Sequence, residues 1–279
     1  MQVLSTVRET RAACRAVRGS GQTLGLVPTM GALHAGHIAL VRAARAQCDV
    51  VAASIFVNPK QFGPNEDFAK YPRTFEKDCA LLEAEGVAMV FAPQPEEMYP
   101  AGTSTFVEVE GVGDRLDGAS RPGHFRGVAT VVAKLFHIVG PDRAFFGQKD
   151  AAQVAVLRTM VRDLNFDLEL VVCPTVREPD GLALSSRNRY LSSDERKRAL
   201  VLSNALNVIA AAYRAGQSNA AHLLEAGRSV LAAEPEVRMD YLEIVNADTL
   251  QPMAKAGAGA LVAVAAYVGS TRLIDNTIL

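Results

Sequence analysis

The chain has 279 residues, 49% of them hydrophobic and 21% charged, with a formal net charge of −1. That balance belongs to an ordinary soluble globular enzyme and excludes a disordered or fibrous chain. No lysine/arginine block stands out, which argues against nucleic acid as the main partner, and the length allows a large core and two domains.

Residues 3 to 18 place Val3, Leu4, Val7, Cys14 and Val17 on one side and predict an amphipathic helix. Arg8, Glu9 and Arg11 interrupt the region where a secretory signal needs an apolar run, so a cytoplasmic location is expected. Thr23 to Val27 reads as a short buried strand. A glycine-bearing turn follows, then a helix over about Ala35 to Gln47, with Ile38, Leu40, Val41 and Ala44 at helical spacing. His34 and His37 stand three apart at the entrance of that helix and share one face. A helix N-terminus offers free backbone N–H groups and partial positive charge, so it attracts phosphate. Gly31 and Gly36 allow a ligand close to the backbone, and the positive end favours neutral imidazoles that still donate hydrogen bonds.

Val50 to Val57 is a continuous apolar run of the kind found inside a parallel sheet. It ends at Asn58-Pro59-Lys60-Gln61, where the carboxyl end of a strand meets ligand in open α/β sheets. Thr74 is the expected N-cap of a helix over Phe75 to Glu85, and Val87 to Phe91 is the next strand. Asp78 on that helix is a candidate metal or loop contact, with an exposed helical aspartate the favoured reading. Thr105 to Val109 alternates like a strand. In the turn-rich segment Ser120 to Gly127, Arg121 is a phosphate candidate and His124 either packs or bonds locally.

Val128 to Val139 predicts a buried helix and Arg143 to Phe146 a short strand. That strand runs into Gly147-Gln148-Lys149-Asp150, which opens a helix reaching about Asp163. A lysine at a helix start opposes the dipole unless polyphosphate is bound, which marks Lys149 as a phosphate ligand. Gln153 shares its face one turn on. A further strand begins near Asp167 and runs through Cys173. Pro174 to Gly181 is rich in turn formers and marks a domain boundary. It delivers Leu184-Ser185-Ser186-Arg187, two hydroxyls and a guanidinium in a flexible segment suited to clamping phosphates. Ser192 and Glu195 form a capping box for a long helix to about Arg214, and Ser218 is read as the cap of another to about Ala233. Asp240 to Val245 and Leu261 to Val268 read as strands. The run from Ala258 to Val268 is far shorter than the ~20 residues of a membrane helix, so no membrane role is expected.

The alternation of strands and helices predicts an α/β protein, with a Rossmann-like doubly wound parallel sheet over residues 1–175. A smaller C-terminal α+β domain over 176–279 is expected to act as a lid. Cys14, Cys48, Cys79 and Cys173 show no metal-type spacing and read as reduced thiols.

The His-x-Gly-His string at His34–His37 is the signature of the nucleotidyltransferase superfamily that includes class I aminoacyl-tRNA synthetases. The longer Pro28-Thr29-Met30-Gly31-Ala32-Leu33-His34-Ala35-Gly36-His37 resembles the pantoate–β-alanine ligase family, and further matches span most of the chain. The resemblance implies ATP-dependent condensation of pantoate with β-alanine through a pantoyl adenylate, releasing pyrophosphate and then AMP. It implies catalytic roles for His34, His37, Lys149 and Arg187. It implies ATP along Met30–His37, Gly147–Asp150, Val176 and Leu184–Arg187, with Mg²⁺ bridging phosphate oxygens through ligands left open. Pantoate falls to Gln61 and Gln153, and a homodimer is expected by analogy. Leu184 stands where the family usually has methionine. Two rival readings are AMP or CMP transfer to a phosphate ester, and a non-catalytic nucleotide-binding module. Gln61 and Gln153 without added basic residues disfavour the first; the full set of histidines, Lys149 and Arg187 disfavours the second.

Overall fold

A computed structural model describes residues 1–64 and 66–279 of the chain. It opens with β1 (Gln2–Leu4) and α1 (Val7–Gly19), then alternates through β2 (Leu24–Thr29), α2 (Ala35–Gln47), β3 (Val50–Ile55), α3 (Phe75–Ala84) and β4 (Met89–Phe91). Two short helices, α4 (Pro95–Met98) and α5 (Asp117–Ser120), lead to α6 (His124–Val139), β5 (Arg143–Gly147), α7 (Ala151–Asp163) and β6 (Glu169–Cys173). The remainder is α8 (Ser193–Arg214), α9 (Ala220–Leu231), β7 (Val237–Asn246), β8 (Ala260–Val268) and β9 (Thr271–Ile278).

β1 to β6 form one sheet in the order β1-β4-β3-β2-β5-β6, with every pairing parallel. β2 and β3 are apolar runs buried along their interiors, as strands covered on both faces must be. After β2 the chain winds outward through β3 and β4, then returns to the other side of β2 as β5. The order therefore reverses between β2 and β5, the switch point where such sheets bind ligands. The register opens a crevice there. β2 stays paired with β3 as far as Thr29↔Ile55, whereas its pairing with β5 ends at Leu26↔Ala144.

β7, β8 and β9 form a separate antiparallel sheet. β8 is buried on both faces. Leu261 and Ala263 join the large cluster that includes α6 and α7, while Val262, Val264, Ala266 and Val268 pack with α8 and α9. A two-residue alternation thus serves two cores, which is why the whole strand is apolar. No helix among the described residues is long and apolar enough to cross a membrane.

Several local expectations give way. Residues 2–4 are a strand: Gln2 to Leu4 pair with Met89 to Phe91, and the helix starts only at Val7, behind a Thr6/Glu9 capping box. Thr105 to Val109 is not a strand, because no partner strand lies beside it among the described residues; the Val107 N–H donates to Thr130 Oγ1 instead. α6 begins four residues early, at His124, and Asn219 rather than Ser218 caps α9. β9 is a third strand of the second sheet that periodicity did not mark. Asp78 is not an exposed helical residue: it is 1% exposed, and its role is described below.

Candidate active site

The loop from β2 to α2 carries the two histidines and is tightly wound. Gly31 has φ 83° and Ala32 φ 53°, the left-handed region that suits a glycine and strains an alanine. The Asp78 carboxylate, buried at the start of α3, holds that shape. Its two oxygens accept the N–H groups of Ala32 and Leu33, each at 2.9 Å, and Thr74 donates its hydroxyl at 3.1 Å. Both oxygens are therefore engaged, so Asp78 is a loop contact rather than a metal ligand.

Several of the loop's backbone N–H groups are already taken within the loop. Gly31 N–H donates to Thr29 Oγ1, Gly36 N–H to His34 Nδ1, and His34 N–H to His37 Nδ1. His34 is the N-cap of α2, and Gly36 lets its ring lie against the backbone: a Cβ there would stand 2.9 Å from the imidazole. With both Nδ1 atoms accepting, each neutral ring carries its proton on Nε2. Burial first, then the Lys149 charge, pushes the His34 pKa down to about 4; burial first, then His34, pushes His37 down to about 3. The ring centroids lie 4.1 Å apart, and each ring carries one neutral N–H donor.

Lys149 lies in the 3-10 turn Gln148–Asp150 at the carboxyl end of β5, across the switch point from the histidines. Its ammonium is 3.7 Å from Asp150 Oδ1, and the charges of both residues act on His34 and His37. The turn is held by Asn276 of β9, whose Nδ2 donates to the carbonyls of Gln148 and Lys149, each at 2.9 Å. Gln148 Nε2 donates back to Asn276 Oδ1.

Residues 176–184 double back as a small hairpin. Leu184 N–H donates to Val176 O, and Arg177 bridges Ala183. Arg177 also forks onto Asp275, and Arg196 grips Glu178 and Asp180, so the base of the loop is braced. From it Ser185 caps the 3-10 turn Ser186–Tyr190, accepting the Arg187 N–H. The Arg187 guanidinium is not free. It makes two bonds to Asp67, at 3.1 and 3.2 Å. Burial alone would lower its pKa, and the Asp67 carboxylate outweighs that, holding it above the ordinary value.

Gln61 ends the 3-10 turn Pro59–Gln61 after β3. Asn58 is 1% exposed and fully occupied: Nδ2 donates to Gln61 Oε1 and Gly127 O, and Oδ1 accepts from Tyr99 Oη and Lys60 N–H. Asn58 therefore positions Gln61 rather than touching a ligand. Because Oε1 is taken, Gln61 turns its Nε2 outward, 3.1 Å from Met30 Sδ. Arg121, a phosphate candidate by sequence, forks onto Glu66 and donates to His124 Nε2.

A cleft of about 970 Å³ lies between the two sheets. Lys149, Asp150, Gln153, Ser185 and Arg187 line it, whereas His34, His37 and Gln61 stand outside its walls. The volume is at the upper end for small-molecule sites and suits a nucleotide with a small acid beside it. Sequence reasoning missed Asp67, Asn276, Asp275 and Tyr99, all of which act by partners distant in the chain. For Asp78 a signal existed: it lies four residues before buried Leu82, on the inner face of α3.

Residues 2–278 match the model of the family described as pantoate–β-alanine ligase. A pantothenate synthetase of Acidobacterium capsulatum is 65% identical over a 290-residue alignment that covers 100% of this chain and 97% of that one. The crystal structure of pantothenate synthetase from Thermus thermophilus superposes with a TM-score of 0.94 at 53% identity, covering 99% of each chain. The pantoate–β-alanine ligase of Francisella tularensis, complexed with β-γ ATP and β-alanine, gives a TM-score of 0.79 at 34% identity, covering 100% of this chain and 97% of that one.

Proposed function

The chain belongs to the pantoate–β-alanine ligase family, and from that premise we propose how its residues share the reaction. The enzyme condenses pantoate with β-alanine at the cost of ATP. The pantoate carboxylate attacks the α-phosphorus, pyrophosphate leaves, and the β-alanine amine then displaces AMP from the pantoyl adenylate. A carboxylate is already a nucleophile, so the protein supplies position and charge neutralisation rather than a nucleophilic triad.

The observation that supports the assignment is the pair of neutral Nε2–H donors within range of the Lys149 charge. His34 and His37 donate to phosphate oxygens without the cost of burying two imidazolium charges. Lys149 neutralises charge that builds on the leaving pyrophosphate, and Arg187 completes the clamp from the opposite wall. ATP runs along Met30–His37, Gly147–Asp150, Val176 and Leu184–Arg187. Gln61 and Gln153 hold pantoate; the Gln61 amide reads an acceptor oxygen because its own oxygen is occupied by Asn58.

Mg²⁺ fits this site as a ligand of the nucleotide. Among the described residues no group of three or more His, Cys, Asp or Glu side chains forms a metal cage. Asp150, a carboxylate on the cleft wall with half its side chain exposed, would hold the ion. Bound there, the ion would neutralise phosphate charge. Residues 1–175 form the nucleotide- and pantoate-binding unit and 176–279 the lid that keeps water from the acyl adenylate. Four free cysteines support a reducing, cytoplasmic setting. A homodimer rests on family likeness alone.

The test is pyrophosphate-to-ATP isotope exchange with pantoate present and β-alanine absent. Exchange should require pantoate, and His37→Ala or Lys149→Ala should reduce it by orders of magnitude while the proteins stay folded. Near-normal exchange in either variant removes that residue from the mechanism.

A further inference from the structure

We propose that His124 is a positioning residue for pantoate: it fixes the main chain of Gln61 so that the amide meets the substrate. The proposal rests on the assignment of Gln61 to pantoate. Asn58 orients the Gln61 side chain, yet a turn of three residues is held in place only if its backbone is anchored too. His124 supplies that anchor. Its Nδ1 lies 2.8 Å from Gln61 O, and its Nε2 lies 2.9 Å from Arg121 Nη1.

The chemistry of the partners fixes the tautomer. A guanidinium has only donors, so Arg121 forces Nε2 to accept, and Nδ1–H is left to donate to the Gln61 carbonyl. Glu66 holds Arg121 in a two-bond fork, at 2.6 and 2.7 Å, and so fixes the direction of the chain from Glu66 through Arg121 and His124 to Gln61. Burial and the Arg121 charge keep the ring neutral, with its pKa pushed down to about 4. The geometry requires close approach as well. α6 rests directly on the Gln61 turn at Gly127, where a Cβ would stand 2.2 Å from Lys60 O and 2.7 Å from Gln61 Cα. Asn58 Nδ2 bonds to Gly127 O at the same contact.

The experiment measures KM for pantoate and for ATP in the full-length enzyme and in His124→Ala, His124→Asn, His124→Gln, Gln61→Ala and the Gln61→Ala/His124→Ala pair. Loss of the anchor in His124→Ala should raise the pantoate KM about tenfold and leave the ATP KM unmoved. His124→Asn can place an amide N–H where Nδ1 stands and should recover most of the loss. His124→Gln reaches toward Arg121 instead and should not. The double variant should be no worse than Gln61→Ala, because both act through one contact. Equal rises in both KM values, additive losses, or rescue by Gln as good as by Asn would overturn the proposal. An unchanged pantoate KM in Gln61→Ala would overturn the Gln61 assignment itself, and the proposal with it. Should His124→Ala fail to fold, the comparison of Asn with Gln decides.

Discussion

Asp67 holds the Nε and Nη2 donors of Arg187, which the proposed function assigns to ATP. The two side chains are 33% and 23% exposed and share two hydrogen bonds, so the pair lies between a surface ion pair and a buried one. Surface pairs contribute about 0–1 kcal/mol, and breaking buried ones costs several. A value of about 1.4 kcal/mol corresponds to roughly a factor of ten in an equilibrium constant. On the proposed reading, a phosphate that takes the Nε and Nη2 donors competes with that contact. Asp67→Asn keeps the shape and one acceptor but removes the charge. It should lower the Kd for ATP, measured by titration calorimetry without pantoate, by about threefold to tenfold. Arg187→Ala should weaken ATP, and adding Asp67→Asn to it should bring no further gain. An ATP Kd that stays put or rises in Asp67→Asn refutes the competition between carboxylate and phosphate.

Asp78→Asn replaces one accepting oxygen by a donor that faces a backbone N–H, losing a charge-assisted bond worth about 1.5–3 kcal/mol and leaving a buried donor unpaired. Tm in thermal unfolding should fall by several degrees, at about 2–4 °C per kcal/mol for a chain of this size; an unchanged Tm removes Asp78 as the loop's anchor. Asn276→Ala unties the carbonyls of Gln148 and Lys149 and should reduce kcat by about tenfold or more, since small misplacements at a reacting centre are costly; full turnover would show that the Lys149 turn stands unaided. The folded pKa values of His34 and His37, about 4 and about 3, lie below the ordinary 6.5, so the unfolded chain takes up protons first as pH falls. Their contribution to stability is therefore complete above pH 6.5 and declines below it, well before carboxylates of ordinary pKa titrate. Tm should drop between pH 6.5 and 5, and a flat Tm across that interval contradicts the buried neutral pair. The same pKa values predict that exchange activity shows no acidic limb near pH 6.5.

What the chain reveals about itself divides by range. α2 was legible to its last residue, and the Ser192/Glu195 box marked the start of α8, because each signal is complete within a few positions. The spacing at residues 3 and 4 reads as helix, whereas β1 becomes a strand only beside β4, at Met89 to Phe91. Thr105 to Val109 has the alternation of a strand and lacks the neighbour that would make it one. The site divides the same way. The histidines, Lys149, Ser185 and Arg187 could be singled out locally, since each sits at a turn or helix start. Their partners could not. Asp67 meets Arg187 across 120 positions, Asp78 meets the histidine loop across 45 and 46, and Asn276 meets Lys149 across 127. The local motif supplies the candidate groups and the tautomers of the histidine pair, and long-range contacts set the shape of the loops that carry them and the availability of Arg187.

The tie between β9 and Lys149 also puts a clock on the enzyme's manufacture. A ribosome delivers both histidines, Lys149 and all six strands of the parallel sheet long before it reaches Asn276. At about 5–20 residues per second, the 127 positions between Lys149 and Asn276 take on the order of ten seconds to translate. Through that interval the nascent chain carries Lys149 on an untied turn. A chain stalled with only residues 1–268 emerged should bind ATP weakly and exchange no pyrophosphate, whereas one stalled with residue 279 emerged should bind ATP and exchange pyrophosphate. On the proposed roles, β9 then acts as the arming step, and adenylation waits until Asn276 ties the Lys149 turn.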